Sequence, residues 1–333
     1  MRRATGDGRR ATRLSSASIE VAGADRRIRQ LRGSKPVVDP WKAHGSVIDD
    51  ERRPDGTLES ALTVFLAGAE CPFTCSFCDL WRYTIDGPTP AGALPTQIAD
   101  TIRTLDEPLP ARIKLYNASN FFDRRAVPVD DLPRIAELCA PFAGVTVESH
   151  ASTIGPAALD FARRVQSLEV AVGLETIHDE ARAHLNKRLD LDRFDAAASF
   201  LSDNDISMRV FVLLGAPYVP ADASIESAVR SAEYAASRGA AVVSIIPVRG
   251  GNGEMERLAA LGHFTPPTLD ELESVLDHCL GWPRTVVTAD LWDAARLATC
   301  QHCRDARVER LRRINVSGLP EPLIHCAHCT EQR

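Results

Sequence analysis

The chain has 333 residues, 44% hydrophobic and 25% charged, with nine cysteines and a formal net charge of −6. That size and composition suit a globular protein of one large α/β domain with a small appendage. No apolar run reaches the roughly 18 residues of a membrane span, and the arginine-rich start lacks the apolar stretch of a secretory signal. A cytoplasmic protein with no membrane contact is expected.

The first 35 residues carry ten Lys and Arg against Asp7, Glu20 and Asp25. Such a segment is either a disordered, solvated leader or an arm for RNA or another polyanion. From Ser60 onward, short apolar runs alternate with amphipathic segments. The strands are expected at 61–67, 112–116, 145–148, 168–172, 206–214 and 241–246, with 285–288 as a further candidate. The helices between them are expected at 97–105, 129–139, 156–165, 191–201, 224–237 and 269–280.

Repeated β-then-α units imply parallel strands joined by right-handed crossovers. The expected class is α/β: a partial (βα)6 TIM-like barrel, with an open doubly wound sheet as the other arrangement of such units. A small C-terminal four-cysteine metal-binding appendage completes it. The expected divisions are a basic N-terminal extension, partly disordered, over 1–55, a core barrel over 56–283 and a C-terminal extension over 284–333. In either arrangement, ligands gather at the C-terminal ends of the strands. The polar and glycine-rich strings fall there: Cys71 after the first strand, Asn117–Asn120 after the second, and Glu148–Ser152, Gly173–Thr176, Gly215–Pro217 and Pro247–Gly250 after the next four.

Cys71, Cys75 and Cys78 form a C-x3-C-x2-C loop after the first strand. Three thiolates on one tight loop suit an iron–sulfur cube with one iron left open, or an incomplete zinc site finished by a distant residue. With the aromatic Phe77 just before the last cysteine, the loop resembles that of the radical S-adenosylmethionine (SAM) superfamily.

The resemblance covers roughly 60–280. It implies a [4Fe-4S] cluster on Cys71, Cys75 and Cys78, SAM on the open iron, and a 5′-deoxyadenosyl radical that takes hydrogen from a substrate. It places Phe77 against the adenine. Asn117 and Ser119 lie where the methionine amine is held, although the usual Gly-Gly-Glu is absent. Glu148 and Glu175 become polar contacts to the ribose or methionine, and Lys187 or Arg188 a partner for its carboxylate. Gly215 and Pro247 bring backbone to the adenine. Glu175 and His150 are the catalytic candidates, His150 as a substrate-side acid or base.

The strings Leu115-Tyr-Asn-Ala-Ser-Asn-Phe-Phe-Asp123, Val147-Glu-Ser-His150 and Phe211-Val-Leu-Leu-Gly-Ala-Pro217 are similar to the branch with an Elongator catalytic subunit-like core. That branch contains the radical enzyme of archaeosine synthesis, which implies a tRNA or modified nucleoside as substrate and a flavodoxin or ferredoxin as reductant.

Cys300-Gln-His-Cys303 and Cys326-Ala-His-Cys329 make two C-x-x-C pairs flanking a basic helical stretch. Four cysteines so arranged hold zinc or a second iron–sulfur cluster. The arginines between them, Arg304, Arg307, Arg310, Arg312 and Arg313, either contact phosphate or solvate a helix. Two further readings stay open: a radical enzyme acting on a small metabolite, and a metal-bearing RNA-binding or redox-sensing protein without catalysis.

Overall fold

Side-chain alternation sets the architecture. Along Leu168-Glu-Val-Ala-Val-Gly-Leu-Glu175, Val170, Val172 and Leu174 share one face of an extended chain, while Glu169, Ala171, Gly173 and Glu175 share the other. A strand of this kind packs its apolar face on helices and turns its polar or small face elsewhere.

The computed structural model describes residues 16–330. The elements in the first half are α1 (Ser16–Leu31), β1 (Gly45–Arg52), β2 (Leu58–Phe65), α2 (Ala93–Ile102), β3 (Arg112–Tyr116), α3 (Leu132–Cys139), β4 (Gly144–Glu148) and α4 (Pro156–Ala162). Those in the second half are β5 (Leu168–Glu175), α5 (Asp179–His184), α6 (Leu191–Asp203), β6 (Ser207–Leu214), α7 (Ser224–Ser237), β7 (Val242–Pro247), α8 (Glu254–Ala260), α9 (Leu269–His278), β8 (Val286–Ala289), α10 (Arg304–Ser317) and α11 (Ala327–Thr330).

The strands form one sheet in sequence order, β1 to β8. β1 runs antiparallel to β2, and every later pair is parallel. The result is the expected partial barrel. Its apolar core lies between the outer sheet face and the helices, where Val64, Leu115, Val147 and Val172 share a cluster with Ile98 and Phe194. Burying each such side chain contributes about 1.5–3 kcal/mol.

The inner face is charged at its lower end. Glu169, with no exposed surface, accepts from Arg209 Nε at 2.9 Å and Arg53 Nη1 at 3.0 Å, and Thr146 Oγ1 donates to it at 3.1 Å. Arg209 Nη2 reaches Glu51 at 2.7 Å, and Lys114 pairs with the same carboxylate. Burial opposes the charge on Glu169, but Arg209 and Arg53 hold its carboxyl far below the usual range.

The sheet runs past both ends of the expected 56–283 core, since β1 lies in the N-terminal extension and β8 in the C-terminal one. β1 reads as polar (Gly-Ser-Val-Ile-Asp-Asp-Glu-Arg) because it is an edge strand carrying Glu51 into the charged floor. The leader cations Arg2, Arg3, Arg9, Arg10 and Arg13 lie outside the described residues. The later ones lie on or just beyond α1, which docks on the rim. Arg27 pairs with Glu254 at 3.0 Å, and Arg32 pairs with Glu70 at 2.6 Å and stacks over Trp81.

The phosphate-contact reading of α10 is corrected at two positions. Arg307 is buried against Glu273 at 2.6 Å, and Arg310 against Asp277 at 2.8 Å. A buried guanidinium whose fork is taken up by carboxylates is not free to meet phosphate. Among the described residues, no helix is long and apolar enough to cross a membrane.

Candidate active site and metal centres

The cysteine loop leaves β2 at the rim and is tied to four other places. Ser76 N–H donates to Leu185 O at 2.9 Å. Asn252 Nδ2 donates to Ser76 O at 2.8 Å and Cys78 O at 3.3 Å, while its Oδ1 caps the backbone N–H of Met255 at 2.8 Å. Asn186 Nδ2 donates to Thr74 O at 2.9 Å, and Asp25 of α1 bonds both Asn186 and the Thr74 hydroxyl. Asn120 Nδ2 points at Cys71 Sγ from 3.4 Å while its Oδ1 accepts from His150 N–H at 2.8 Å, joining the ends of β3 and β4 to the loop.

None of the nine cysteines, all among the described residues, is in a disulfide. Burial raises the Cys71 thiol and pushes Cys75 up to about 12, with the Lys187 charge opposing it. Neutral thiols in such a place become thiolates when a metal cation supplies the compensating charge.

Lys187 is the cation of the site. Its Nζ donates to Glu175 Oε1 at 2.7 Å, and both side chains are largely buried. Burial works against the ammonium, but Glu175 and the nearby sulfurs hold its pKa above the usual lysine value. Glu175 reaches this position through a β-bulge at the end of β5 and a left-handed backbone, φ 69°. Arg188, the other candidate for a carboxylate partner, instead turns outward, pairs with Asp25 and lies 5.9 Å over the Phe73 ring.

At the ends of β3 and β4, the backbone N–H groups of Ala118, Asn117 and Ser119 converge on the Glu148 carboxylate, with Ala118 N at 2.8 Å. Ala118 adopts φ 54°, which curls the three amides into a concavity. Burial nevertheless raises Glu148 to about 7. Asn117 is completely buried, yet among the described residues neither its Nδ2 nor its Oδ1 has a partner, and Ser119 Oγ is likewise unpaired. Buried polar atoms left unpaired at the rim fit a ligand that brings its own hydrogen-bond donors and acceptors, as an amine and a carboxylate do.

His150 stacks on Phe73 with ring centroids 4.1 Å apart. Its Nδ1 accepts from Ser152 N–H at 3.1 Å, and Nε2 donates to Lys187 O at 3.1 Å. Burial and the Lys187 charge lower its pKa to about 4. Both ring nitrogens are engaged, so the imidazole holds the β4 end and the Lys187 backbone in place.

On the far side of the loop, Phe77 packs on an apolar patch formed by Leu213, Ala216, Val248 and Met255. Gly215 keeps this wall close. It sits at φ +72°, and a Cβ there would lie 2.8 Å from Pro267 Cδ. Pro247 ends β7 beside it and is buried.

The structure thus brings Cys71, Cys75, Cys78, Phe77, Asn117, Ser119, Glu148, Glu175, Gly215 and Pro247 to one rim. Sequence reasoning missed Asn252 and Asp25. The Gly250-Gly-Asn-Gly253 string marked a turn, but nothing local marked which backbone its amide would reach.

A second centre lies in the C-terminal segment. Ligand atoms of Cys300, Cys303, Cys326 and Cys329 all lie within 4.8 Å of one another. The backbone N–H of Cys303, the Cys329 thiol and the backbone N–H of His302 lower the Cys300 thiol to about 6. This group can hold a metal ion and is separate from the loop cysteines.

No family model and no curated protein sequence matches the chain. Solved structures do. Methylornithine synthase superposes with a TM-score of 0.52 at 14% identity, over 92% of this chain and 77% of that one. A queuine lyase from Clostridium spiroforme, bound to SAM and queuine, gives 0.49 at 16% identity over 72% and 94%. A radical SAM methyltransferase from Sphaerobacter thermophilus gives 0.47 at 19% identity over 75% and 77%. The first of these likenesses shows the fold, a partial α/β barrel.

Proposed function

We propose that the chain is a radical SAM enzyme. The observation that carries this is the placement, on one barrel rim, of Cys71, Cys75 and Cys78 beside a buried Asn117 amide that has no partner among the described residues. When bound, a [4Fe-4S] cluster would supply the electron that cleaves SAM to the 5′-deoxyadenosyl radical, which takes hydrogen from substrate. The chain's own residues do the rest. Cys71, Cys75 and Cys78 would hold the cluster, and Lys187 offsets their negative charge. Asn117, Ser119 and Glu148 offer donors and acceptors for the methionine end, and Phe77 with its apolar patch gives the adenine a dry wall. Asn120, Asn186 and Asn252 fix the loop.

The substrate proposed is a tRNA or modified nucleoside, in keeping with the resemblance to the archaeosine branch. Arg26 and Arg29 on the exposed side of α1, above the rim, support a polyanionic partner. A flavodoxin or ferredoxin is the proposed reductant. A cysteine-rich chain with no disulfide among the described residues is in keeping with a cytoplasmic location. For the separate four-cysteine group we propose zinc.

Anaerobic reconstitution tests the reading. The wild-type protein should take up about four irons per cube and release 5′-deoxyadenosine on reduction with SAM. Cys75→Ala should lose both signals, and a variant that keeps both would sink the proposal. Binding of bulk tRNA should weaken steeply with salt. Absent or salt-insensitive binding would turn the substrate reading toward a small metabolite.

A further inference from the structure

The barrel does not close through hydrogen bonds, since β1 and β8 are the two edges of its sheet. The element that fills the gap is α10, which lies against both strands. Asn315 acts as a substitute strand for the free edge of β8: its Oδ1 accepts from Ala289 N–H at 2.9 Å, and its Nδ2 donates to Ala289 O at 2.8 Å. At the other side, the helix ends at Gly318 in a left-handed cap pressed on Arg52 of β1, where a Cβ would lie 2.6 Å from Arg52 Nε.

The buried ion pairs of α10, Arg307 with Glu273 and Arg310 with Asp277, tie it to α9 and not to the edge strands. The sequence of α10 is Arg-Asp-Ala-Arg-Val-Glu-Arg-Leu-Arg-Arg-Ile-Asn-Val-Ser, and its buried residues are Arg307, Arg310, Leu311 and Ile314. Two buried apolar side chains give little hydrophobic anchorage. The returning tail adds contacts through Arg310, which donates to Glu321 O at 2.8 Å and Pro322 O at 3.0 Å.

The four cysteines bracket this unit. Cys303 caps the start of α10, and Cys326 and Cys329 stand where the tail arrives back beside it. Cys300 and Cys326 sulfurs lie 4.0 Å apart, and those of Cys303 and Cys329 lie 3.6 Å apart. A single tetrahedral ion about 2.3 Å from each sulfur sets them about 3.8 Å from one another. A cube, with one thiolate on each iron corner, spreads them wider. His302 and His328, at the same place in each knuckle, stack on one another at 3.8 Å and 17°.

We infer that one tetrathiolate zinc ion is the clasp that holds α10 in the gap between β1 and β8, so that barrel closure is metal-dependent. This rests on zinc as the ion at the four cysteines. The clasp joins Cys303 to Cys326 and Cys329, making a closed loop of α10 and its tail. Such a link favours the docked helix by restricting its undocked states.

Metal analysis and amide hydrogen exchange on the full chain test it, comparing wild type with the double variant Cys326→Ser, Cys329→Ser. The expected result is one zinc fewer per chain, with exchange at least ten-fold faster in α10, β1 and β8 and unchanged in β4 and β5. Loss of zinc with unchanged exchange in α10 and both edge strands would overturn the clasp and leave the zinc reading standing. Iron and sulfide, in place of zinc, removed by the double variant would overturn the zinc reading itself. If the variant does not fold, zinc is stripped from folded wild type by a chelator and restored. Reversible loosening confined to α10, β1 and β8 supports the clasp, and uniform loosening of the whole barrel overturns it. Asn315→Ala supplies an independent arm: β8 should exchange faster with the zinc still bound, and unchanged exchange there would remove the strut.

Discussion

Lys187 Nζ lies 2.7 Å from Glu175 Oε1, and Gly173 leaves the room that this ion pair occupies. A Cβ on residue 173 would sit 2.1 Å from Glu175 Oε1 and 2.7 Å from Lys187 Nζ. Gly173→Ala should therefore separate the pair, lower stability by about 1–3 kcal/mol and reduce iron uptake on reconstitution. Unchanged melting temperature and iron content would show that the pair has room to shift. Lys187→Met should cost more, about 3–5 kcal/mol, because it strands a buried carboxylate.

The raised Glu148 gives a pH signature. Its carboxyl titrates near 7 in the folded chain against an ordinary 4.5, so the folded state binds the extra proton between those values. Stability from this group is present below the lower value and is lost as pH rises through the upper one. The loss is on the order of 3 kcal/mol. His150, lowered to about 4, tilts the opposite way, but equally in wild type and in Glu148→Gln. Denaturant midpoints from pH 4.5 to 8 should thus show the difference between the two proteins changing with pH. A constant difference would contradict the burial of Glu148.

Glu169 carries the charged floor. Glu169→Gln should destabilise by about 3–5 kcal/mol at neutral pH by leaving Arg209 and Arg53 without their buried anion. Its carboxyl is depressed in the fold, so its contribution is present above the ordinary carboxylate range and fades on acidification. The gap between variant and wild type should narrow as pH falls, and urea titrations at several pH values would detect a gap that does not.

Gly253 sets the docking of α1. It sits at φ +85°, and a Cβ there would lie 2.1 Å from Leu31 O. Gly253→Ala should push the end of α1 off the rim. Trypsin should then cut faster after Arg26, Arg27 and Arg29, with the barrel's own melting temperature little altered. Equal cleavage rates in both proteins would mean that α1 yields without undocking.

What the sequence by itself determined was local. Cys71, Cys75 and Cys78 on one short loop, the two C-x-x-C pairs and the β-then-α order are all patterns of neighbouring residues, and backbone geometry makes each readable in isolation. The parallel α/β class followed from them, as did the placement of Glu148, Glu175 and Gly215 at strand ends, while the strand order β1 to β8 made it the barrel and not the open sheet. What only the tertiary structure decided was which distant groups meet. Lys187 faces the sulfurs while Arg188 turns to Asp25, because opposite faces of one bend are a single residue apart. Arg307 and Arg310 look like a nucleic-acid surface until Glu273 and Asp277 of another helix cover them. β1 and Asn315 complete the sheet edges through partners far along the chain. Burial makes an ion pair or a hydrogen bond decisive only once both members share a low-dielectric site. No spacing in the sequence records that meeting, and it fixes where the charges of this protein are used.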